Sequence, residues 1–342
     1  MKERSGLGRM RKFTVLFLTL TALLITFLPE SRSTAAERFT KEDVERLSLY
    51  KKMESVTLIP WHYFAGVDQY ERSVRKARRD LPARKGLVGI YFSPLQWSGP
   101  INPTMDDTNP ERISMFGGIG KDGNNDGIAD RNNDEDILYT FSEIIQKHGH
   151  DIENFRIGLW SYYQRDKAVD IIMENAKIYE TYGTVSLDKH SFIVPLRSNY
   201  SYRSTWGDRR GFGGLRIHEG TDIFADYGVP VKAVSYGIVE IKGWNRFGGW
   251  RIGVRDINNV YHYYAHLGSF NKAIEKGTIV EPGTVLGYVG SSGYGPPGTS
   301  GKFPPHLHFG MYRDNGYTEW AFDPYPYLRA WERQERISNR RR

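Results

Sequence analysis

The spacing of apolar positions changes once along the chain. From Thr40 to about Lys189 apolar residues recur three and four apart, the mark of amphipathic helices. Ile137, Phe141, Ile144 and Ile145 predict a helix over 136–148, and Val169, Ile172, Met173 and Ala176 predict another over 167–182. The segment 41–52 has acids early and lysines late, which suits the helix dipole, with Val44, Leu47 and Leu49 as a partial stripe. Residues 61–79 follow Ile59-Pro60, a proline where helix starts accept one. Between these helices, residues 86–135 are rich in Gly, Pro, Asn and Asp and predict a long loop region. No internal repeat is present.

Past Thr184 the period becomes two. β-rich runs at 230–234, 237–242, 250–255, 260–266 and 284–289 are separated by Gly, Pro, Asn and Asp clusters. The expected fold is multi-domain: a mainly α part over 40–184 and an all-β part over 185–330, an antiparallel sheet or sandwich, or a small barrel. A length of 342 residues agrees, since one core seldom grows past roughly 250–300 residues.

The charge narrows the function classes. The net +7 comes from two ends: Met1–Lys12 contributes +4 and Glu332–Arg342 +3, so the 319 residues between them balance. A neutral body with basic tips lacks the concentrated phosphate-binding surface of a nucleic-acid binder. Residues 331–342 read as a basic tail, with disorder expected only at the chain ends. At the front, basic residues precede the uncharged 16-residue run Phe13–Leu28 and the small residues Ser33-Thr34-Ala35-Ala36. That order predicts an export signal or an N-terminal anchor over 1–36, with a membrane role for that segment alone and everything after it extracytoplasmic.

With no cysteine, thiol catalysis, disulfides and Cys-zinc sites are excluded, and a metal would have to be held by His, Asp, Glu or backbone oxygen. Three groups among the nine histidines fall in the β half: His218 and Asp222 in HEGTD, His262 and His266 in HYYAH, His306 and His308 in HLH. On a strand, residues two apart share a face, which puts His306 with His308 and Tyr264 with His266. Gly220 lets the HEGTD loop fold back around an ion. Each pattern alone is weak, and a histidine on an aromatic strand is often a core residue. Together they supply more than the three N or O ligands a catalytic zinc requires.

Over 196–326 the segments HEGTD, GVPVKAVSYGIVE, YHYYAHL, EKGTIVEPGTVLGYVGSSG and PPHLHFGM resemble the M23 (LytM or lysostaphin-type) zinc peptidases that cut peptidoglycan. The resemblance implies that His218, Asp222 and His308 hold one Zn2+ and that His266 and His306 are the catalytic histidines. His262 lies outside the family pattern and is expected to be structural or substrate-facing. The loop SSGYGPPGTSGKFPP would border the groove or be an ordinary surface connection. Similarity in both halves, linker included, extends to the sporulation endopeptidases of bacilli. It implies cleavage between L-alanine and D-glutamate in spore peptidoglycan.

The first half resembles lytic-transglycosylase and lysozyme-like domains more faintly. IPWHYFAGVDQYERSV is similar to the helix that carries their acid, which places Glu71 there with Trp61, Tyr63 and Phe64 as apolar neighbours that would raise its pKa. The expectation is a retained fold that binds glycan; the bland alternative is a surface Glu71 paired with Arg75. In DGNNDGIAD, Asp122, Asn124, Asp126 and Asp130 occupy positions one, three, five and nine of a calcium-type loop with Gly127 sixth, although Asn133 stands where the bidentate Glu belongs. A Ca2+ site is expected there, with an Asx-rich turn as the alternative. The leading function is an exported zinc endopeptidase acting on peptidoglycan peptides. The alternatives are a bifunctional hydrolase that also cuts glycan through Glu71, and a non-catalytic wall-binding or regulatory module.

Overall fold

The computed structural model describes residues 39–341, apart from 83, 85 and 212–215. The export segment expected over 1–36 lies outside the described residues. The helical half opens with α1 (Lys41–Thr57) and α2 (Trp61–Ala77). Thr40 caps α1 by accepting from the Asp43 amide at 3.1 Å, and its own N–H donates to the Asp43 carboxylate. α1 buries the apolar stripe read from its sequence only in part: Leu47 and Leu49 pack half-buried against the helical core, Val44 is exposed, and the fully buried residues are Arg46, Tyr50, Met53 and Thr57. A buried charge on α2 causes this. Asp68 is fully enclosed and accepts from Arg46 Nη2 at 3.0 Å, Arg72 Nε at 3.0 Å and the Tyr50 hydroxyl, so α1 has to present donors.

The loop region carries two short helices, α3 (Pro94–Ser98) and α4 (Pro110–Met115), before α5 (Asp134–Gln146), α6 (Ile152–Tyr163) and α7 (Asp166–Tyr182). The expected helices over 136–148 and 167–182 correspond to α5 and α7; α6 was not anticipated. The loop before α5 gives the calcium expectation no support. Asp122 and Asp126 turn back to accept from amides of Asp126, Gly127 and Ile128, and Asp130 accepts from Asn132 N. Asn133, at the twelfth position, caps α5 by accepting from Glu135 and Asp136 N–H. The carboxylates thus serve an Asx-turn network, and among the described residues no three of them come together as a metal-holding group.

Among the described residues the β half forms a ten-stranded antiparallel sheet and a two-stranded ribbon. Its strands are β1 (Tyr200–Tyr202), β2 (Arg209–Arg210), β3 (Arg216–Ile217), β4 (Thr221–Ala225), β5 (Pro230–Lys232), β6 (Gly237–Asn245), β7 (Gly249–Asp256), β8 (Val260–Phe270), β9 (Ile279–Val280), β10 (Val285–Val289), β11 (His306–Asp314) and β12 (Glu319–Phe322). The main path runs β1-β4-β11-β8-β7-β6-β9, antiparallel throughout; β2 and β3 make the ribbon.

The residues read as a basic tail are helical. α8 (Tyr325–Arg340) buries Leu328 and Trp331 against the sheet, where Phe309 and Tyr264 also lie. Its acids tie it down: Glu332 accepts from the hydroxyls of Tyr200 and Tyr202 at 2.6 Å, and Glu335 accepts from Phe192 N at 2.7 Å. Net charge hid an amphipathic stripe, because the arginines occupy the solvent side.

Two cores result, one within the helices and one between the sheet and α8. They do not make two separate bodies: Tyr236, Ile238 and Ile257 of the β half join the helical core, and Thr40–Arg342 packs as one unit. Charges cross the same seam. Arg255 on β7 donates to Glu240 and Glu319, Lys167 on α7 pairs with Glu319, and Glu174 on α7 meets Glu240 on β6. Burial and the like charge of Glu240 push the Glu174 carboxyl well above its usual range. The folded state therefore keeps a proton that the unfolded chain loses near the ordinary Glu value of about 4.3, and stability should fall as pH rises from about 5 towards 9. Thermal unfolding across that window should show the fall, and Glu174→Gln should flatten it; an unchanged slope in the variant would contradict the assignment.

Candidate metal centre

Strand register brings the site together. β11 pairs with β4 so that His308 lies opposite Asp222, and with β8 so that His308 lies opposite Ala265. His218 precedes β4, and its Nδ1 donates to the Thr205 carbonyl at 2.7 Å, which leaves Nε2 as the lone-pair nitrogen. That nitrogen lies 2.8 Å from His308 Nδ1 and 3.1 Å from Asp222 Oδ1, and His308 Nδ1 is 3.0 Å from the same carboxylate oxygen. Burial opposes charge on Asp222, but its bonds to His218 and His308 outweigh that and hold the carboxyl far below its usual range.

Two ring nitrogens and one carboxylate oxygen converging within about 3 Å of one another are a donor set that fits a small divalent cation of the zinc type. The backbone is shaped for it. A Cβ on Gly220 would come within 2.6 Å of the His308 ring, so HEGTD needs its glycine for clearance beside a ligand rather than for a special turn angle. Thr205 was missed from sequence; its hydroxyl also accepts from the Asp222 amide at 3.2 Å. It carries no metal-ligating group, and only the fold shows what its carbonyl does.

Two further histidines stand beside this trio. The His306 ring is 4.9 Å from that of His266, and its Nε2 lies 3.9 Å from Asp222 Oδ1. His306 Nδ1 donates to the Pro304 carbonyl at 2.9 Å, and His266 Nδ1 to the Ser292 carbonyl at 2.7 Å, so each neutral ring carries its lone pair on Nε2. Burial, with His306 and His308 close by, pushes His266 down to about 3 and keeps it neutral.

The shared face expected for Tyr264 and His266 is not found. Tyr264 is fully buried on the core side against Phe309, while His266 adopts a left-handed φ of 63° at an irregularity in β8 that returns its ring to the metal side. The loop after β10 does border the site: Phe303 packs at 4.7 Å from the His266 ring and 5.0 Å from His306, and Tyr294 stacks on His266.

The sequence profile of peptidase family M23 matches residues 216–324, which span all five of these side chains. Over 317 residues the chain is 60% identical to the L-Ala–D-Glu endopeptidase of Bacillus subtilis, a match that covers 92% of this chain and 97% of that protein. The chain belongs to peptidase family M23. Lysostaphin of Staphylococcus simulans is 35% identical over 120 residues, 34% of this chain and 22% of its own length. The solved catalytic domain of lysostaphin is 34% identical and covers 38% of this chain and 93% of that domain, with a TM-score of 0.31.

In this M23 peptidase the remaining candidates lie apart from the centre. His262 is buried on the core side: Nε2 is 3.0 Å from Asp256 Oδ2 and the ring stacks on Phe309, which makes it structural rather than substrate-facing. Glu71 is half-buried and accepts from the Tyr163 hydroxyl at 2.8 Å, so it joins α2 to α6. Burial raises its pKa against that bond, and the aromatic neighbours are Tyr163 and Tyr162. Trp61 begins the same helix ten residues earlier, about 15 Å away along the axis. Arg75 does not hold Glu71; it donates to the carbonyls of Gly89 and Pro82. Among the described residues no helix is long and apolar enough to cross a membrane.

Proposed function

We propose that this peptidase is a zinc-dependent endopeptidase of the bacterial cell wall that hydrolyses the bond between L-alanine and D-glutamate in peptidoglycan, acting outside the cytoplasm. The observation that carries the catalytic part is the convergence of His218, Asp222 and His308 on one point with His266 and His306 alongside. Identity over nearly the whole length to the Bacillus subtilis enzyme supports the choice of bond. Spore peptidoglycan is the form of substrate the sequence resemblance favours.

His218, Asp222 and His308 would hold the zinc, which supplies Lewis-acid polarisation of the scissile carbonyl and a lowered pKa for water when bound. The chain's own residues do the rest. His266, neutral and oriented by the Ser292 carbonyl, accepts a proton at Nε2. His306, oriented by the Pro304 carbonyl, stands next to His266 to hydrogen-bond developing oxyanion charge or return a proton to the leaving amine. Phe303 and Tyr294 wall both rings from bulk water. The helical half is read as the glycan-holding part, on its likeness to lysozyme-like domains.

The test is digestion of purified peptidoglycan followed by mass spectrometry of the fragments. The expected products end in L-alanine carboxylate and carry a new amine on D-glutamate; chelation should stop their release and added zinc restore it. Intact stem peptides after prolonged digestion would sink the proposal. Anhydro-muramyl ends would move Glu71 from glycan binding to glycan cleavage.

A further inference from the structure

Next to the metal centre the sheet carries an arginine that, among the described residues, no carboxylate meets. Tyr263 lies two residues before Ala265, the partner of His308, so it shares the metal-facing side of β8; its ring is 6.0 Å from the His308 ring. Arg251 on β7 lies over that tyrosine, with Cζ 5.8 Å from the ring centroid. The side chain is half-buried, its Nε is enclosed without a hydrogen-bond partner, and among the described residues no Asp or Glu lies within ion-pair distance of it. By contrast Arg255, four residues on, is held by both Glu240 and Glu319.

The arginine is also positioned deliberately. A Cβ on Gly248 would come within 2.2 Å of the Tyr263 hydroxyl, and a Cβ on Gly253 within 1.9 Å of the Tyr261 hydroxyl. The glycines on either side of Arg251 thus give two tyrosines room to lie across β7, with the Arg251 guanidinium over one of them, Tyr263, and that of Arg255 over the other. A partly desolvated guanidinium that lacks an internal anion is costly unless a ligand supplies one, and its planar fork matches a carboxylate.

We propose that Arg251, steadied by Tyr263, is a specificity-determining residue that binds the free carboxylate of the glutamate next to the scissile bond. Glutamate has two carboxyl groups and only one can continue a peptide, so the residue on the amine side of the cut offers an anion a few ångströms from the reacting carbonyl. The inference rests on the bond assigned above, and it deepens that reading by making the acid, rather than the amide, the preferred form.

The experiment compares two synthetic stem peptides, one with D-glutamate carrying its free carboxylate and one with the corresponding carboxamide, on the full chain loaded with zinc. The wild type should prefer the acid by about 30-fold or more in kcat/KM, as a charge-assisted pair implies. Arg251→Gln should lose about 100-fold on the acid and about threefold or less on the amide, and Arg251→Lys should recover part of the acid activity. Equal losses on both substrates, or a wild type indifferent to amidation, would overturn the proposal while leaving the bond assignment standing. A wild type that cuts neither peptide would overturn the bond assignment and this inference with it.

Discussion

His306→Ala should reduce amine release from peptidoglycan by about 10³-fold while zinc content and melting temperature stay at wild-type values, the loss expected when a positioned proton-transfer group is removed. The separation is possible because His306 and His308 sit two apart on β11 and only His308 belongs to the converging metal-holding group, which gives them different proposed roles. His308 contributes one of the three converging ligand atoms, so His308→Ala should lose metal and activity together. His306 is held by its own Nδ1–H bond to Pro304, and its ring packs on Phe303 and Phe224. Truncating it leaves the β11 pairing with β4 and β8, which runs through backbone, intact. Metal analysis, calorimetry and fragment assays on the two variants distinguish the roles. Undiminished activity in His306→Ala would remove that histidine from the mechanism, and loss of zinc in the same variant would make it a ligand.

The pairing of His306 with His308 was legible because strand alternation is a local rule and HLH follows it. Tyr264 and His266 obey the same spacing but not the same geometry, since one left-handed residue at a register irregularity turns His266 back towards the His218–Asp222–His308 group. Nothing in HYYAH marks that residue, because β-bulges are set by how the neighbouring strands pair. Arg46 and Tyr50 illustrate the same limit on α1. Apolar spacing identifies a buried face only when the core beneath it is apolar, and here the core presents Asp68. α8 was hidden for the converse reason: its arginines dominated the charge count while Leu328, Trp331, Glu332 and Glu335 formed the inward stripe. The change of hydrophobic period near residue 185 does mark the passage from helices to sheet. Period alone carries no information on whether two such parts share a seam.

Arg165→Ala should destabilise the protein by about 3 kcal/mol, the cost of leaving a buried carboxylate without its partner. Arg165 stands at the start of α7, and its guanidinium reaches the far end of β11 with both nitrogens, Nη1 to Asp314 Oδ1 at 2.9 Å and Nη2 to Oδ2 at 2.5 Å. Asp314 is fully enclosed, and its other contact, the Gly316 amide at 2.8 Å, is a neutral donor that does not balance the charge. Arg165→Lys should recover only part of the loss, because a single ammonium cannot make both bonds of the fork. Replacing the pair together, Arg165→Met with Asp314→Asn, should cost less than Arg165→Ala alone, because no buried charge is then stranded. Denaturant unfolding of the three variants gives the order directly. A loss below about 1 kcal/mol in Arg165→Ala would mean that water reaches Asp314 and that the bond does not hold α7 to the strand bearing His306 and His308.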